Sequence, residues 1–240
     1  MPAKILPRQA PLIKEYLDPE ETLALEEGAE SLRDKLLFRL LRILGCRISE
    51  VLGLRVEDID FIRRRVTIIH LKTRAHLVCP HCSARLARGH TFCPGCGKKV
   101  EKAVRKELEQ RRLRQLPVDL ETLGVIKNYI DRGGLTDANG HQFLFNISRQ
   151  RAWQIFRQYS IVLGLPELIN SETGKRHHVS PHKMRDSFAV NAMKIDDSGD
   201  GQRLLQEHLG HSSFNTTAKY RKIAGRERED WFEKVMGGKK

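Results

Sequence analysis

Apolar residues recur at helical spacing over residues 31–44, SLRDKLLFRLLRIL. Leu36, Leu37, Leu40, Leu41 and Leu44 there predict a core helix stopped by Gly45. Upstream, Asp18, Pro19 and Glu21 read as an N-cap, a first-position proline and the far half of a capping box, so another helix starts there. Downstream, CRISEVLGLRVEDIDFIRRRVTIIHLKT reads as a short helical turn, a connection and a β-branched strand at Val66–Ile69. Residues 98–112, KKVEKAVRKELEQRR, set Val100, Val104 and Leu108 in an i, i+4, i+8 stripe and predict a charged helix. RLRQLPVD then returns to a strand-like pattern.

The remainder is mostly helical in pattern. Asp119 caps a helix carrying Leu120, Leu123, Ile126, Tyr129 and Ile130, which Gly133 and Gly134 end. Ser148 caps a second helix that Gly164 ends, and Ser180 before Pro181 starts a third. Gly210 closes a fourth, and Asn215 or a neighbouring hydroxyl caps a last helix that carries Tyr220. The predicted fold class is mainly α with a small antiparallel β-sheet, an α+β arrangement.

Composition narrows the function. The 240 residues suit one large domain or one domain with an insertion. Lys and Arg number 43 against 30 Asp and Glu, a formal net charge of +13 that suits a polyanionic partner such as nucleic acid. The opening MPAKILPRQAPLIKEYL lacks the apolar core of a signal peptide, and even LLFRLLRIL carries two arginines. The expectation is a soluble cytoplasmic, nucleoid-associated protein whose cysteines form no structural disulfides.

Four of the five cysteines fall in one block, residues 75–112, read as an insertion between two strands of one sheet. Cys79-Pro-His-Cys82 and Cys93-Pro-Gly-Cys96 form two close C-x2-C pairs separated by ten residues. Such pairs aim four thiolates at one point, the pattern of a closed tetrahedral zinc site with a structural role. His81 and His90 are possible substitutes, but the four-sulfur set is complete without them. Neither pair sits in the βαβ setting of a redox dithiol. Cys46 stands apart and reads as a small buried residue.

Elsewhere, VSPHKMRDSFA sets His182 and Arg185 three residues apart just after a helix start. That spacing puts both on one face at an end that favours anions. His211 and Tyr220 lie nine residues apart in HLGHSSFNTTAKYRK. On one continuous helix nine steps of about 100° put them on opposite sides. Gly210 and the polar run SSFNTT break that path, so the two side chains belong to adjacent elements and can converge.

GCRISEVLGLRVEDID, then LKT, then HKMR, then LGHSSFNTTAKY resemble, in order, the motifs of the tyrosine recombinase or phage-integrase catalytic domain. The resemblance covers roughly residues 16–225 apart from the insertion. It implies a catalytic domain over 16–225 interrupted by a zinc ribbon at 75–112, with an arm at 1–15 and a C-terminal helix or tail at 226–240. It places Arg47, Lys72, His182, Arg185, His211 and Tyr220 at the six active-site positions. If the hairpin is redrawn, Arg74, Lys98 or Lys99 takes the place of Lys72.

The implied chemistry is attack of the Tyr220 phenol on a phosphodiester of double-stranded DNA, giving a 3′-phosphotyrosyl bond and a free 5′-hydroxyl without ATP or a catalytic metal. Arg47 and Arg185 hold the phosphate oxygens, since a rigid guanidinium fork suits that task better than an ammonium. His182 takes the phenolic proton, His211 donates to the phosphate and Lys72 protonates the leaving oxygen. Glu50 either orients Arg47 or a histidine, or acts only as a cap or salt-bridging carboxylate.

The family usually carries a helical DNA-clamping domain before this one, and only about fifteen residues precede Tyr16 here. Either the sequence is a fragment or something else closes the far side of the DNA. The insertion is a candidate, because residues 97–114 hold eight basic and three acidic side chains. Otherwise it caps a long hairpin or offers a protein–protein surface. Trp231, Phe232 and Val235 in REREDWFEKVMGG either dock on a neighbouring protomer or pack on their own domain. The leading function is a site-specific recombinase working as a DNA-bridged tetramer. Two further functions fit the same features: a type IB topoisomerase-like nicking-closing enzyme and a non-catalytic zinc-containing DNA-binding module.

Overall fold

The computed structural model describes residues 14–237 apart from 88, 103, 139, 171–172 and 222–225, with the side chains of 70–76, 105–112 and 226–230 also outside the description. The expected arm lies almost wholly outside the described residues. The chain divides into two compact units. One comprises the residues up to Val66 and from Gln115 onward, the other Thr67–Arg114.

The larger unit is built around α2 (Leu32–Leu44), whose Leu36, Leu37, Phe38, Leu40, Leu41 and Leu44 are fully buried. A helix this apolar needs cover on several sides. It is supplied by α1 (Pro19–Glu27), α3 (Ile48–Leu52), α4 (Leu120–Asp131) and α6 (Pro181–Ile195). From α5 (Arg149–Val162), Phe156 meets Phe38 edge-on at 4.7 Å, a favoured aromatic geometry. The two charges that α2 buries are paired: Arg39 contacts Glu26 at 2.8 Å and Glu121 at 2.6 Å, and Asp34 contacts Arg33.

The expected caps form. Ser31, Asp119, Ser148 and Ser180 each accept a hydrogen bond from a first-turn N–H, and the Asp18 N–H donates to Glu21. Gly45 and Gly210 end α2 and α7 (Gly199–Leu209) in the left-handed conformation, φ 56° and 68°. At Gly45 a Cβ would stand 2.4 Å from the Phe188 ring, so glycine is required there twice over. Ala189 and Met193 of α6 close a second small core with Leu205 and Leu209 of α7.

The strands are β1 (Ile59–Asp60), β2 (Arg65–Val78), β3 (Arg85–Leu86) and β4 (Val104–Pro117) in one sheet, with two short hairpins, β5 (Thr136–Ala138) with β6 (His141–Phe143) and β7 (Leu168–Ile169) with β8 (Arg176–His177). β1 and β3 run antiparallel to β2, and β4 pairs with β2. The fold is therefore mainly α with small antiparallel sheets.

Two expectations fail. The stretch from Val104 onward is strand β4, not a charged helix. Charged residues favour a helix by only tenths of a kcal/mol each, and an isolated helix of that length is marginal in water. A ladder to the fourteen-residue β2 outweighs that preference. Val100 packs instead with the cysteines, while Val104 is half exposed. The last helix also stops short of Tyr220. α8 (Phe214–Ala218) has Ser213, one of the neighbouring hydroxyls, at its N-cap position, but Tyr220 lies on the 3₁₀ turn Lys219–Arg221 that follows. The final helix, α9 (Arg226–Gly237), leaves Trp231, Phe232 and Val235 more than half exposed. Among the described residues no helix is long and apolar enough to cross a membrane.

Candidate active site

The two left-handed glycine caps prepare a socket for one guanidinium. Where α2 ends, the carbonyl of Gly45 accepts from Arg185 Nη1 at 2.9 Å; where α7 ends, that of Leu209 accepts from Nη2 at 2.8 Å. Helix C-termini carry partial negative charge, so both ends favour a cation. Arg185 is 2% exposed and held by partners on three sides, because Nη2 also meets His211 Nε2 at 2.9 Å.

That third contact settles the imidazole's state. A guanidinium has no lone pair to offer, so His211 Nε2 must be the acceptor. The proton then sits on Nδ1, which donates to Thr217 Oγ1 at 3.0 Å. His211 is thus a neutral ring clamped at both nitrogens, and it donates to a phosphate only if the Arg185 contact is released.

Arg47 is the N-cap residue of α3. Glu50, 5% exposed, accepts from its backbone N–H at 2.9 Å and from its Nη1 at 3.1 Å. Glu50 therefore caps the helix and orients the arginine with the same carboxylate.

Tyr220 follows α8 and stacks on His211, ring centroids 6.0 Å apart and planes 20° from parallel. Its ring packs against the Ala189–Leu209 core, and its hydroxyl donates to Asp186 Oδ1 at 3.1 Å. Burial and the Asp186 carboxylate push the phenol well above its ordinary value, although Arg185 and Arg47 pull the other way.

His182 stands on the first turn of α6 with 72% of its side chain exposed, its Nε2 3.8 Å from Asp186 Oδ2. Arg47, His182, Arg185, His211 and Tyr220 line one open cavity of about 370 Å³, together with Lys183, Lys219, Glu15 and Asp186. Five of the six expected positions are thus brought together, all within the larger unit. Lys72 lies on β2 in the smaller unit, and its side chain is outside the described residues, as is that of Arg74. Asp186 escaped the sequence reading, although it follows Arg185 directly and lies one helical turn from His182.

The smaller unit holds the cysteines in two matching turns. The N–H of Cys79 donates to Ala84 O and its carbonyl accepts from Ser83; Cys93 makes the same pair of bonds with Lys98 O and Gly97. Ser83 and Gly97, at equivalent places, both take positive φ. The N–H groups of His81 and Gly95 point at the first sulfur of each turn, at 3.4 and 3.3 Å.

The sulfurs of Cys79, Cys82, Cys93 and Cys96 lie within 4.8 Å of one another, so the four could hold a metal ion. Burial raises the Cys93 thiol, but backbone N–H groups and neighbouring thiols outweigh it and bring Cys93 down to about 6. Cys82 accepts from the Ala84 N–H, yet Cys93 and the other thiols push it up to about 12. One thiolate thus discourages the next, and a bound cation would let all four ionise. Lys98 and Lys99 belong to this cysteine-bearing unit, as Lys72 does. Cys46 is buried in the larger unit, far in sequence from the cluster.

The sequence profile described as the phage integrase family matches residues 15–227. A tyrosine recombinase XerC of Roseiflexus castenholzii is 29% identical over 197 residues, 80% of this chain and 48% of that protein. A tyrosine recombinase XerA of Pyrococcus furiosus is 26% identical over 222 residues, 87% of this chain and 59% of that protein. The chain therefore spans about half the length of the curated relatives it matches.

The crystal structure of XerA recombinase superposes with a TM-score of 0.61 at 18% identity, covering 96% of this chain and 67% of that one. The XerH site-specific recombinase bound to its palindromic difH substrate in a post-cleavage complex gives 0.58 at 18%, covering 92% and 53%. At such identities these likenesses establish the fold. With the profile matching most of its length, the chain belongs to the phage integrase family.

Proposed function

We propose that this chain is the strand-cutting and rejoining part of a site-specific DNA recombinase, working through a 3′-phosphotyrosyl intermediate. The observation that carries the reading is the convergence of the Tyr220 phenol with Arg47 and Arg185 on one cavity. A binding module has no use for a half-buried phenol facing two phosphate-holding guanidiniums. The cavity's cations, Arg47, Lys183, Arg185 and Lys219, outnumber Glu15 and Asp186, and the net charge of +13 extends that attraction to a long polyanion. The nature of the relatives supports double-stranded DNA as the substrate.

In this reading Arg47 and Arg185 grip the non-bridging oxygens of the scissile phosphate. They hold the extra charge that develops as phosphorus becomes five-coordinate. Arg185 is already fixed by two carbonyls, so little reorganisation accompanies the step. His182, exposed at the cavity, donates to the same phosphate, and His211 keeps Arg185 in place. Lys72 delivers the proton to the departing 5′-oxygen. The exposed Trp231, Phe232 and Val235 of α9 suit contact with a neighbouring protomer in a tetrameric synapse on DNA. The cysteine cluster holds one structural zinc, its four sulfurs forming a closed thiolate set. The protein works where the DNA is, in the cytoplasm at the nucleoid.

The test uses a randomised pool of nicked suicide duplexes, from which a cut strand cannot be rejoined. Wild-type protein is expected to give a denaturation-resistant protein–DNA adduct, and Tyr220→Phe none. Absence of any Tyr220-dependent adduct across the pool would sink the proposal. The same assay checks Lys72. Lys72→Ala is expected to lose about 10²–10⁴ in cleavage rate on an ordinary ester. It should recover on a substrate whose 5′-bridging oxygen is sulfur, because a thiolate leaves without a proton. If sulfur brings no recovery, the general acid is another residue.

A further inference from the structure

We infer that Asp186 is the catalytic base that takes the proton of Tyr220 as the phenol attacks phosphorus, and that it returns that proton on rejoining. The inference rests on the strand-transfer reading above and names a group that the reading leaves open, the acceptor of the nucleophile's proton.

Geometry carries it. Among the described residues, the hydrogen bond of Tyr220 Oη is to Asp186 Oδ1, at 3.1 Å, within the reach expected of a general base. The two histidines are placed differently. His211 presents the face of its ring to Tyr220, with Nε2 engaged by Arg185 and Nδ1 by Thr217. His182 lies on the far oxygen of the carboxylate, 3.8 Å from Oδ2, with most of its ring exposed.

Asp186 is itself only 19% exposed along its side chain, and Lys183 Nζ stands 3.9 Å from Oδ2. His182 and Lys183 thus both approach Oδ2 and leave Oδ1 to the phenol. The charged and titratable groups around the pair are Arg185, His182 and Lys183 from α6, Arg47 from the start of α3, His211 after α7, Lys219 on the turn of Tyr220, and Glu15. Burial and the neighbouring Asp186 together keep the phenol protonated until a phosphate arrives.

The step balances with the groups present. The Tyr220 Oη–P bond forms as the 5′-O–P bond breaks. The phenolic proton moves to Asp186 Oδ1, and the leaving oxygen takes a proton from the general acid. The ordinary values of ~10 for a phenol and ~3.9 for a carboxylic acid exclude complete transfer ahead of attack. The proton instead moves as the phenolic oxygen bonds to phosphorus and turns acidic. On rejoining, the 5′-hydroxyl attacks and returns its proton to the group that served as general acid, the Tyr220–P bond breaks, and Asp186 gives its proton back to the phenol.

The experiment is single-turnover cleavage of a nicked suicide duplex over pH 5–10, with DNA binding measured alongside. Wild type is expected to show a rate that is flat from neutral pH upward, because transfer to Asp186 during attack needs no free phenolate beforehand. Asp186→Asn is expected to cleave about 10²–10⁴-fold more slowly while binding DNA no more weakly. Its rate should rise tenfold per pH unit, because it depends on the free phenolate.

A second measurement leaves Asp186 untouched: difluorotyrosine at position 220 of the otherwise native protein lowers the phenol's pKa. The flat wild-type profile should stay flat, whereas a protein relying on spontaneous phenolate shows a rising limb that moves toward acid. An Asp186→Asn rate and profile like wild type, or a moving limb in the fluorinated protein, overturns the inference and leaves the recombinase reading standing. A wild-type protein that forms no Tyr220-dependent adduct takes both down.

Discussion

Arg185→Ala is expected to cost both stability and chemistry, and Arg185→Lys chiefly chemistry. The arginine donates to two buried carbonyls, Gly45 O and Leu209 O, and to His211. Hydrogen bonds from a charged donor contribute about 1.5–3 kcal/mol each. Removing the side chain therefore destabilises the larger unit by about 3 kcal/mol, allowing for partial hydration of the abandoned carbonyls. The chemical loss is separate, about 10²–10³ in cleavage rate, the usual cost of deleting one preorganised charge-stabilising donor.

Lysine restores charge but not the fork. It can satisfy one carbonyl, and it cannot at the same time hold His211 and a phosphate oxygen. Urea unfolding and single-turnover cleavage read the two effects independently. An alanine variant of wild-type stability would mean that the socket at the ends of α2 and α7 contributes nothing to folding. A lysine variant cleaving at the wild-type rate would mean that planar two-point contact is not required.

Removal of metal from the cysteine cluster is expected to unfold the Thr67–Arg114 unit alone. Among its described residues, one apolar cluster holds Cys79, Leu86 and Cys93, with Leu77, Ala84 and Val100 packed against them. Cys79 and Cys93 belong both to this core and to the cysteine cluster, so releasing a bound ion would also free the core. A module of this size rarely offsets its chain entropy with an apolar core alone. Structural zinc in small modules supplies about 10–16 kcal/mol of apparent binding energy, ample to make the difference.

The expected results are one zinc per chain by elemental analysis, and loss of amide-exchange protection over residues 67–114 after chelation or in Cys93→Ser. Protection of α2 and α6 should be retained. Cys46→Ser, a change at the buried cysteine outside the cluster, should keep the metal. Full protection of residues 67–114 in the chelated protein would rule out a structural metal.

Much of the site is legible in the sequence because its parts are local. The α2 stripe, the serine and aspartate caps, and the left-handed glycines at 45 and 210 are each set by a few neighbouring residues. The paired C-x2-C spacings predict the cluster for the same reason, since each half is a single turn. The convergence of His211 with Tyr220 followed from the break at Gly210, and the stacked rings bear that geometry out.

What the sequence by itself determined is which residue types stand at which turns: a phenol, two arginines, two histidines and four thiols, with the glycines that end the helices before them. Three matters were decided only by the tertiary structure, each by partners distant along the chain. Residues from Val104 onward form a strand, because pairing with β2 outweighs helical preferences of tenths of a kcal/mol. His211 is a neutral acceptor, because Arg185, twenty-six residues away, has only hydrogens to offer it. Tyr220 rests on Asp186, thirty-four residues away, because α6 and the 3₁₀ turn pack together. Local pattern sets the conformation of a turn, but the proton on a histidine and the partner of a phenol depend on which distant groups folding brings into hydrogen-bond reach.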